Sequence, residues 1–486
     1  MEPIARSEKA YPQSTLTPRW WETVSGMFRP YLRSDHSTLA ELTAQLDTLK
    51  AGGIDAVEIF APCKGGICYQ GLDTLDYYEI DPAIGAMEDL ISLIAEAHRR
   101  GMAMILFMNF GYGHEQFPAF LKACEDIRLG VHRPETRMFL WSDNGQDTMD
   151  HNQAPYFLND ADGGWRWSEA AQKYFWVKWE GEQGGHLLPQ LNFGDPGWQE
   201  EVRRIIEFWL GFGIDGMVID AVNWYINCDW NVARSCLTGP ILEADNQFCQ
   251  PEGAGGFDDN PVEWIRQGEF NCVMDYAIKK WWTGHDVIRQ AIIKHDPQPI
   301  EAALRGYRDR VAQAGGICYI DLPDLRDLPE AAQILGAAAV ATMGELLIFI
   351  GDQLQGWSPD VRKAINRLME LRRKFPALGA GGRREQIQTQ DDSKYYAFLR
   401  WMGSDETTLL VVLNFQPEPG TVQIKFNDRN IARGIDVWAG EEVVFSSNLV
   451  EVALPAYGFA IYRVLLNSTE DSTTKRSLHR EEHKIS

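Results

Sequence analysis

Eight short apolar runs, each followed by a longer stretch with helical spacing, organise the chain up to residue 379. They occupy 27–31, 56–61, 103–110, 216–222, 247–251, 271–277, 317–322 and 346–351. Runs this short read as buried strands, and the amphipathic stretches 39–51, 87–100 and 198–212 between them read as helices. Strand–helix alternation requires parallel pairing, because a helical crossover returns the chain to the same end of the sheet. Eight such units over this length are expected to close into a (β/α)8 TIM barrel.

The spacing is uneven. The third and fourth runs are separated by far more chain than a crossover helix needs, including the Trp/Gly/Asp-rich stretch 159–165. This predicts a subdomain inserted after strand 3. After residue 380 the runs 395–401, 408–414, 422–426 and 457–464 are separated by turn residues, as expected of a C-terminal antiparallel β-sandwich. The expected division is a barrel over 1–110 and 196–379, an inserted lid over 111–195, a sandwich over 380–466 and a polar, disordered tail over 467–486.

Composition narrows the function classes. A net charge of −23, from 69 acidic and 46 basic residues, argues against a nucleic-acid partner, whose phosphates call for a basic surface. The 8 cysteines form no CxxC pair, and the 10 histidines do not cluster at ligand spacing, so no metal and no cofactor are expected. No run reaches membrane-spanning length and the start lacks a signal-peptide core, so the expectation is a cytoplasmic protein without membrane contact. The sequence leaves the oligomeric state open.

The run 213–222 delivers Asp220 to the C-terminal end of strand 4, the end where barrels place their chemistry. A buried carboxylate there is costly unless it is paired or used. The alternative is an Asp that caps the following helix. Glu252 follows strand 5 and precedes glycines that would admit a close ligand; Asp321 and Asp324 follow strand 7.

Three segments add a resemblance. Gly71-Leu72-Asp73-Thr74-Leu75-Asp76-Tyr77-Tyr78-Glu79-Ile80-Asp81-Pro82, Leu188-Pro189-Gln190-Leu191-Asn192-Phe193 and Ile348-Phe349-Ile350-Gly351-Asp352-Gln353 resemble segments of the α-amylase family, glycoside hydrolase family 13. The likeness covers nearly the whole chain. It implies a retaining glycosidase or transglycosidase acting on a small α-linked sugar or glycoside through a covalent glycosyl-enzyme intermediate. Carried over by motif, Asp220 matches the nucleophile, Glu252 the acid/base and Asp324 the third carboxylate, with Asp321 competing for that last role. Glu243 and Glu269 compete with Glu252 but precede their strands.

The departures from the family lie in the sugar pocket. Phe107, Gly111 and Tyr112 stand where the family has Asp, Asn and His; Val218 replaces an Arg, Pro323 a His and Leu72 a Tyr. Gly111 also removes a ligand of the family's calcium site. Arg326 or Lys64 is a candidate replacement for the missing cation beside Asp220. Tyr69, Phe107, Tyr112, Trp224, Tyr225 and Arg326 are expected to form a more aromatic substrate pocket. His114 reads as a solvated loop residue. Two other readings remain open: a non-catalytic relative that binds carbohydrate or serves as a scaffold, and a sugar isomerase or lyase on the same scaffold.

Overall fold

The computed structural model describes residues 16–147, 164–180, 186–222, 225–244, 246–252, 261–268, 270–280, 283–403, 408–426, 430–444 and 449–467. The eight expected strands are present as β1 (Met27–Arg29), β2 (Ala56–Phe60), β3 (Ala103–Met108), β4 (Gly216–Ile219), β5 (Phe248–Pro251), β6 (Cys272–Met274), β7 (Ile317–Asp321) and β8 (Leu346–Ile350). They form one sheet in the order β5-β4-β3-β2-β1-β8-β7-β6, and every pair within it for which a register is defined is parallel. Asn271 closes the remaining seam. Its N–H donates to the Cys249 carbonyl at 3.1 Å, its side-chain oxygen accepts from the Cys249 N–H at 3.0 Å, and its Nδ2 donates to the Gln247 carbonyl at 2.9 Å.

Local chemistry starts the outer helices where the barrel needs them. Helix α1 (Leu39–Ala51) opens with a capping box: the Thr38 hydroxyl accepts from the Glu41 N–H, and the Thr38 N–H donates to the Glu41 carboxylate at 2.8 Å. Helix α2 (Pro196–Leu210) begins with Pro in its first turn, and the Asp195 carboxylate accepts from the Trp198 N–H at 2.9 Å. Leu42, Leu46, Ile205, Ile206 and Trp209 then bury the inward faces of these helices against the outer side of the strands. A separate cluster fills the barrel interior, with Met27, Ala56, Ala103, Phe248, Ile317 and Leu346 among its members and Trp20 and Trp21 joining it.

Between β3 and β4 an antiparallel sheet carries Trp141–Ser142, Gly164–Ser168, Lys173–Glu180 and Leu187–Pro189. The segment after it returns to the barrel by pairing with the chain that leaves β3: Gly113 N–H donates to the Pro189 carbonyl at 3.1 Å, and Leu191 N–H to the Gly111 carbonyl at 2.8 Å.

The C-terminal region holds β9 (Arg383–Ile387), β10 (Tyr395–Trp401), β11 (Thr408–Asn414), β12 (Gly420–Lys425), β13 (Asn430–Asp436), β14 (Glu442–Val444), β15 (Leu449–Leu454) and β16 (Phe459–Asn467). A six-stranded antiparallel sheet, β9-β10-β11-β16-β13-β14, faces the β12-β15 ribbon, and Leu399, Val412, Val422, Ile424, Val450 and Val452 pack between them. This is the expected sandwich. Two buried arginines fasten it to the barrel through backbone carbonyls: Arg308 binds Gly344 and Gly382, and Arg400 binds Met343 and Gly379.

Candidate active site

Side chains alternate along a strand, so Phe60 on β2, Phe107 on β3, Val218 on β4 and Tyr319 on β7 share the barrel interior. Asp220 follows β4 in the same alternation and comes up at the mouth. Its N–H donates to the Met108 carbonyl at 2.8 Å, which holds it beside the end of β3. Glu252 follows β5 and is tied to the same place: its N–H donates to the Ile219 carbonyl at 2.7 Å, and its carbonyl accepts from Val222 N–H at 3.1 Å.

Between these carboxylates the backbone turns abruptly. Ala221 has φ 42°, a left-handed conformation that is uncommon for a residue with a Cβ. The Ala221 N–H donates to Glu252 Oε2 at 3.1 Å, so the residue after one acid binds the carboxylate of the other. The Tyr112 hydroxyl donates to Asp220 Oδ2 at 3.2 Å. Asp220 is buried, whereas Glu252 is packed by protein yet keeps an opening to solvent.

Burial, then the neighbouring Glu252 charge, push the Asp220 carboxyl well above its usual range, against the Tyr112 hydrogen bond and Arg29. Burial also raises Glu252, against the Ala221 N–H and Arg29. In a poorly solvated site a charge on one acid disfavours a charge on its neighbour, so one ionised carboxyl is favoured over two. One charged and one protonated carboxyl is the state a double-displacement reaction uses.

The cation that acts on both acids is Arg29. Its Nε donates to Glu58, both side chains are buried, and the guanidinium lies 4.8 Å from the centre of the Phe107 ring. Neither expected replacement supplies this charge. Lys64 pairs with Glu79 at 2.8 Å on an exposed surface. Arg326 pairs with Asp324 and Asp352, each at 2.9 Å, on the outer rim. Sequence reading missed Arg29 and Glu58, although the signal was there: a charged residue inside each of two adjacent apolar runs.

Three further expectations are corrected. The Asp324 carboxylate is 61% exposed and turned to Arg326, so it does not join Asp220 and Glu252. Asp321, the last residue of β7, is the more enclosed acid, bound by Lys279 and by Gln353 Nε2 at 3.0 Å. Tyr225 belongs to the outer core behind the site: it stacks on Phe193 at 4.9 Å, and its hydroxyl accepts from the Phe110 N–H at 2.9 Å. His114 is buried, not solvated. Its Nε2 lies 3.9 Å from Asp73, its Nδ1 accepts from Gln116 N–H, and its ring is 4.8 Å from that of His186. Burial pushes the Asp73 carboxyl up to about 6.

Phe107 and Tyr112 do line the interior, with the Phe107 ring 4.6 Å from Phe60, and half-buried Tyr69 packs against the same cluster. Tyr69 and Gln70 both have positive φ, 46° and 58°. Trp224 and Glu269 lie outside the described residues. Glu243 is exposed and 3.9 Å from Arg203, away from the mouth. Asn109, not singled out from sequence, fixes the loop after β3: its Nδ2 donates to the carbonyls of Leu72 and Tyr112, and its Oδ1 accepts from Gly111 N–H.

Position 111 explains the lost calcium ligand. A Cβ there would stand 2.5 Å from the Tyr225 ring, so no ligand-bearing side chain fits. Among the described residues, no group of three or more His, Cys, Asp or Glu side chains could hold a metal ion. All 8 cysteines are buried. No described helix is long and apolar enough to cross a membrane.

Comparison with known proteins agrees with this architecture. Residues 26–244 match the alpha-amylase catalytic domain, and residues 385–461 match the maltogenic amylase C-terminal domain. An alpha-glucosidase of Schizosaccharomyces pombe is 26% identical over 226 residues, covering 44% of this chain and 37% of that protein. The trehalose-6-phosphate hydrolase of Escherichia coli is 28% identical over 216 residues, covering 43% of this chain and 37% of that protein. A trehalose synthase/amylase of Mycobacterium tuberculosis is 29% identical over 188 residues, covering 38% and 29%. The matched region thus spans well under half the length of these relatives. The trehalulose synthase of Pseudomonas mesoacidophila superposes with a TM-score of 0.67 at 18% identity, covering 92% of this chain and 100% of that one. At that identity the superposition speaks for the fold alone.

Proposed function

Since this chain belongs to the α-amylase family, we propose that it is a retaining glycosidase or transglycosidase acting on a small α-linked sugar or glycoside. The observation that carries this reading is the strained turn at Ala221, whose N–H binds the Glu252 carboxylate and so holds it beside Asp220 at the barrel mouth. Asp220 attacks the anomeric carbon as the glycosidic bond breaks, and Glu252 gives its proton to the leaving oxygen. Glu252 then takes a proton from water or an acceptor hydroxyl, which displaces Asp220 with net retention. Asp321, rather than Asp324, is our candidate for the third carboxylate, on the strength of its enclosure beside Lys279 and Gln353.

The names of two relatives, α-glucosidase and trehalose-6-phosphate hydrolase, support a small α-glucoside, while the third, trehalose synthase/amylase, adds glycosyl transfer. Phe107 and Tyr112 in place of hydroxyl-binding groups support a substrate with fewer hydroxyls or more bulk than a terminal glucosyl unit. A cytoplasmic setting is part of this reading and rests on the burial of every cysteine.

One observation favours a second reading, a non-catalytic carbohydrate-binding protein. The Tyr112 hydroxyl already occupies one oxygen of Asp220. The deciding experiment runs wild type, Asp220→Asn and Glu252→Gln on a panel of α-linked disaccharides, sucrose and aryl α-glycosides, with products separated by chromatography. Turnover lost in both variants establishes the enzyme. A silent wild type whose melting temperature still rises with sugar establishes the binding protein.

A further inference from the structure

The barrel interior carries its buried ion pair in an unexpected place. Phe107 and Val218 are register partners on β3 and β4, and they are apolar at the two positions where the resemblance leads one to expect Asp and Arg. The charges sit on β1 and β2 instead. Phe28 pairs with Val57, so Arg29 and Glu58 are the next two residues along that register. The guanidinium lies over Phe107, on the side of the barrel opened by the missing acid.

The pair is not self-contained. Arg29 Nη2 and Glu58 Oε2 are buried and have no hydrogen-bond partner among the described residues. A buried polar atom left unpaired is costly, so a sealed structural pair would satisfy itself. One guanidinium donor is therefore left without a protein acceptor in the barrel interior that Phe107 and Tyr319 line.

We propose that Arg29, held by Glu58, is the positioning residue of this site, supplying from β1 the cation that orients Asp220. The inference rests on the reading of Asp220 and Glu252 as the reacting pair. The charged and titratable groups facing Arg29 are Glu58 from β2, Tyr31 from the segment just after β1 and Tyr319 from β7. Those acting on Asp220 are Glu252 and Tyr112, and Asp220 in turn acts on Tyr225 and Tyr77 in the core behind it. Asp321 acts on Tyr31. Among these groups Arg29 is the one fixed positive charge; it favours the ionised form of both acids, while Glu58 partly cancels its field.

The signs follow. Removing Arg29 disfavours the ionised nucleophile, so the acid limb of the pH profile of kcat/KM moves to higher pH. Removing the Glu58 charge leaves Arg29 unopposed, and the limb moves to lower pH. The experiment measures that profile for wild type, Arg29→Gln, Arg29→Lys and Glu58→Gln on the best substrate of the panel. Arg29→Gln is expected to lower kcat/KM near neutrality by roughly 100-fold, the scale of one preorganised charge lost from a site, with Arg29→Lys recovering part of it. A folded Arg29→Gln whose acid limb stays at the wild-type position overturns the proposal, as does a shift of the limb in the same direction for Arg29→Gln and Glu58→Gln.

A second measurement needs no turnover. A melting-temperature double-mutant cycle between Arg29→Gln and Asp220→Asn reads their coupling directly. Coupling in a protein that turns nothing over would keep the pairing and reject the enzyme reading. Turnover without coupling would reject the pairing and keep the enzyme.

Discussion

Two buried carboxylate pairs in this barrel make opposite use of the same chemistry. Asp220 and Glu252 stand at the ends of β4 and β5, each bound by a protein donor, with Arg29 acting on both and Glu252 open to solvent. Asp275, after β6, and Glu345, before β8, form a second buried pair. Asp275 Oδ1 accepts from the N–H groups of Ala277 and Ile278, and the Asp275 and Glu345 carboxyls lie within hydrogen-bonding reach of each other. Burial pushes Asp275 up to about 6, and burial with the Asp275 charge raises Glu345 well above its usual range. A raised, buried acid pair is therefore not by itself a sign of catalysis in this protein. What separates the two pairs is the opening to solvent at Glu252 and the Arg29 charge that acts on both of its acids.

The sharpest way to break the comparison is turnover. Asp220→Asn and Glu252→Gln are each expected to reduce kcat by at least about 1,000-fold, as loss of members of a catalytic unit does, whereas Glu345→Gln leaves kcat within about 3-fold, since it touches no reacting atom. Comparable losses in both sets would end the distinction. Steady-state rates at one pH suffice.

Tyr112 sharpens the first half of the comparison. Tyr112→Phe removes the donor on Asp220 that favours its charge, so the acid limb should move to higher pH and kcat/KM fall by about 10-fold near neutrality. An unchanged profile would mean that the hydroxyl merely blocks the carboxylate.

Stability against pH tests what the pairs share. A carboxyl raised by folding contributes stability below its unfolded pKa and loses it as pH rises through the folded value, for Asp275 about 6. Wild type is therefore expected to lose several degrees of melting temperature between pH 5 and 8, values chosen to bracket that titration. Glu345→Gln and Asp220→Asn should each flatten part of the slope and melt above wild type at the alkaline end. Parallel melting curves for wild type and Glu345→Gln would show that the sealed pair does not titrate in this window.

The smallest effect is expected at the rim. Asp324→Asn breaks an exposed pair with Arg326 and should change stability by no more than about 0.5–1 kcal/mol and leave turnover within about 2-fold. A large loss of activity would return Asp324 to the site and displace Asp321.

How far the sequence reached differs between fold and site. The eight strands were legible because each is a short apolar run with turn residues around it, and their ends shifted by only a few residues. β4 is the instructive miss: its apolar run extends to Val222, but the strand ends at Ile219 because Ala221 turns left-handed to meet Glu252. Asp220 and Glu252 could be named in advance because strand ends in a parallel barrel converge. Asp324 was chosen over Asp321 by motif, and three residues of loop were enough to carry it to the exterior. Tyr225 looked like a pocket aromatic, yet its ring packs into the core against Phe193.

The sequence by itself determined the barrel, its insertion, the sandwich and the two acids at the ends of adjacent strands, because strand periodicity and strand direction are local properties that propagate to the whole sheet. Only the tertiary structure decided which cation serves those acids. Arg29 lies in a different βα unit, 191 residues before Asp220 in the numbering of the chain. Barrel closure brings β1 and β4 to one interior, and an electrostatic field depends on distance through that interior rather than on separation along the chain.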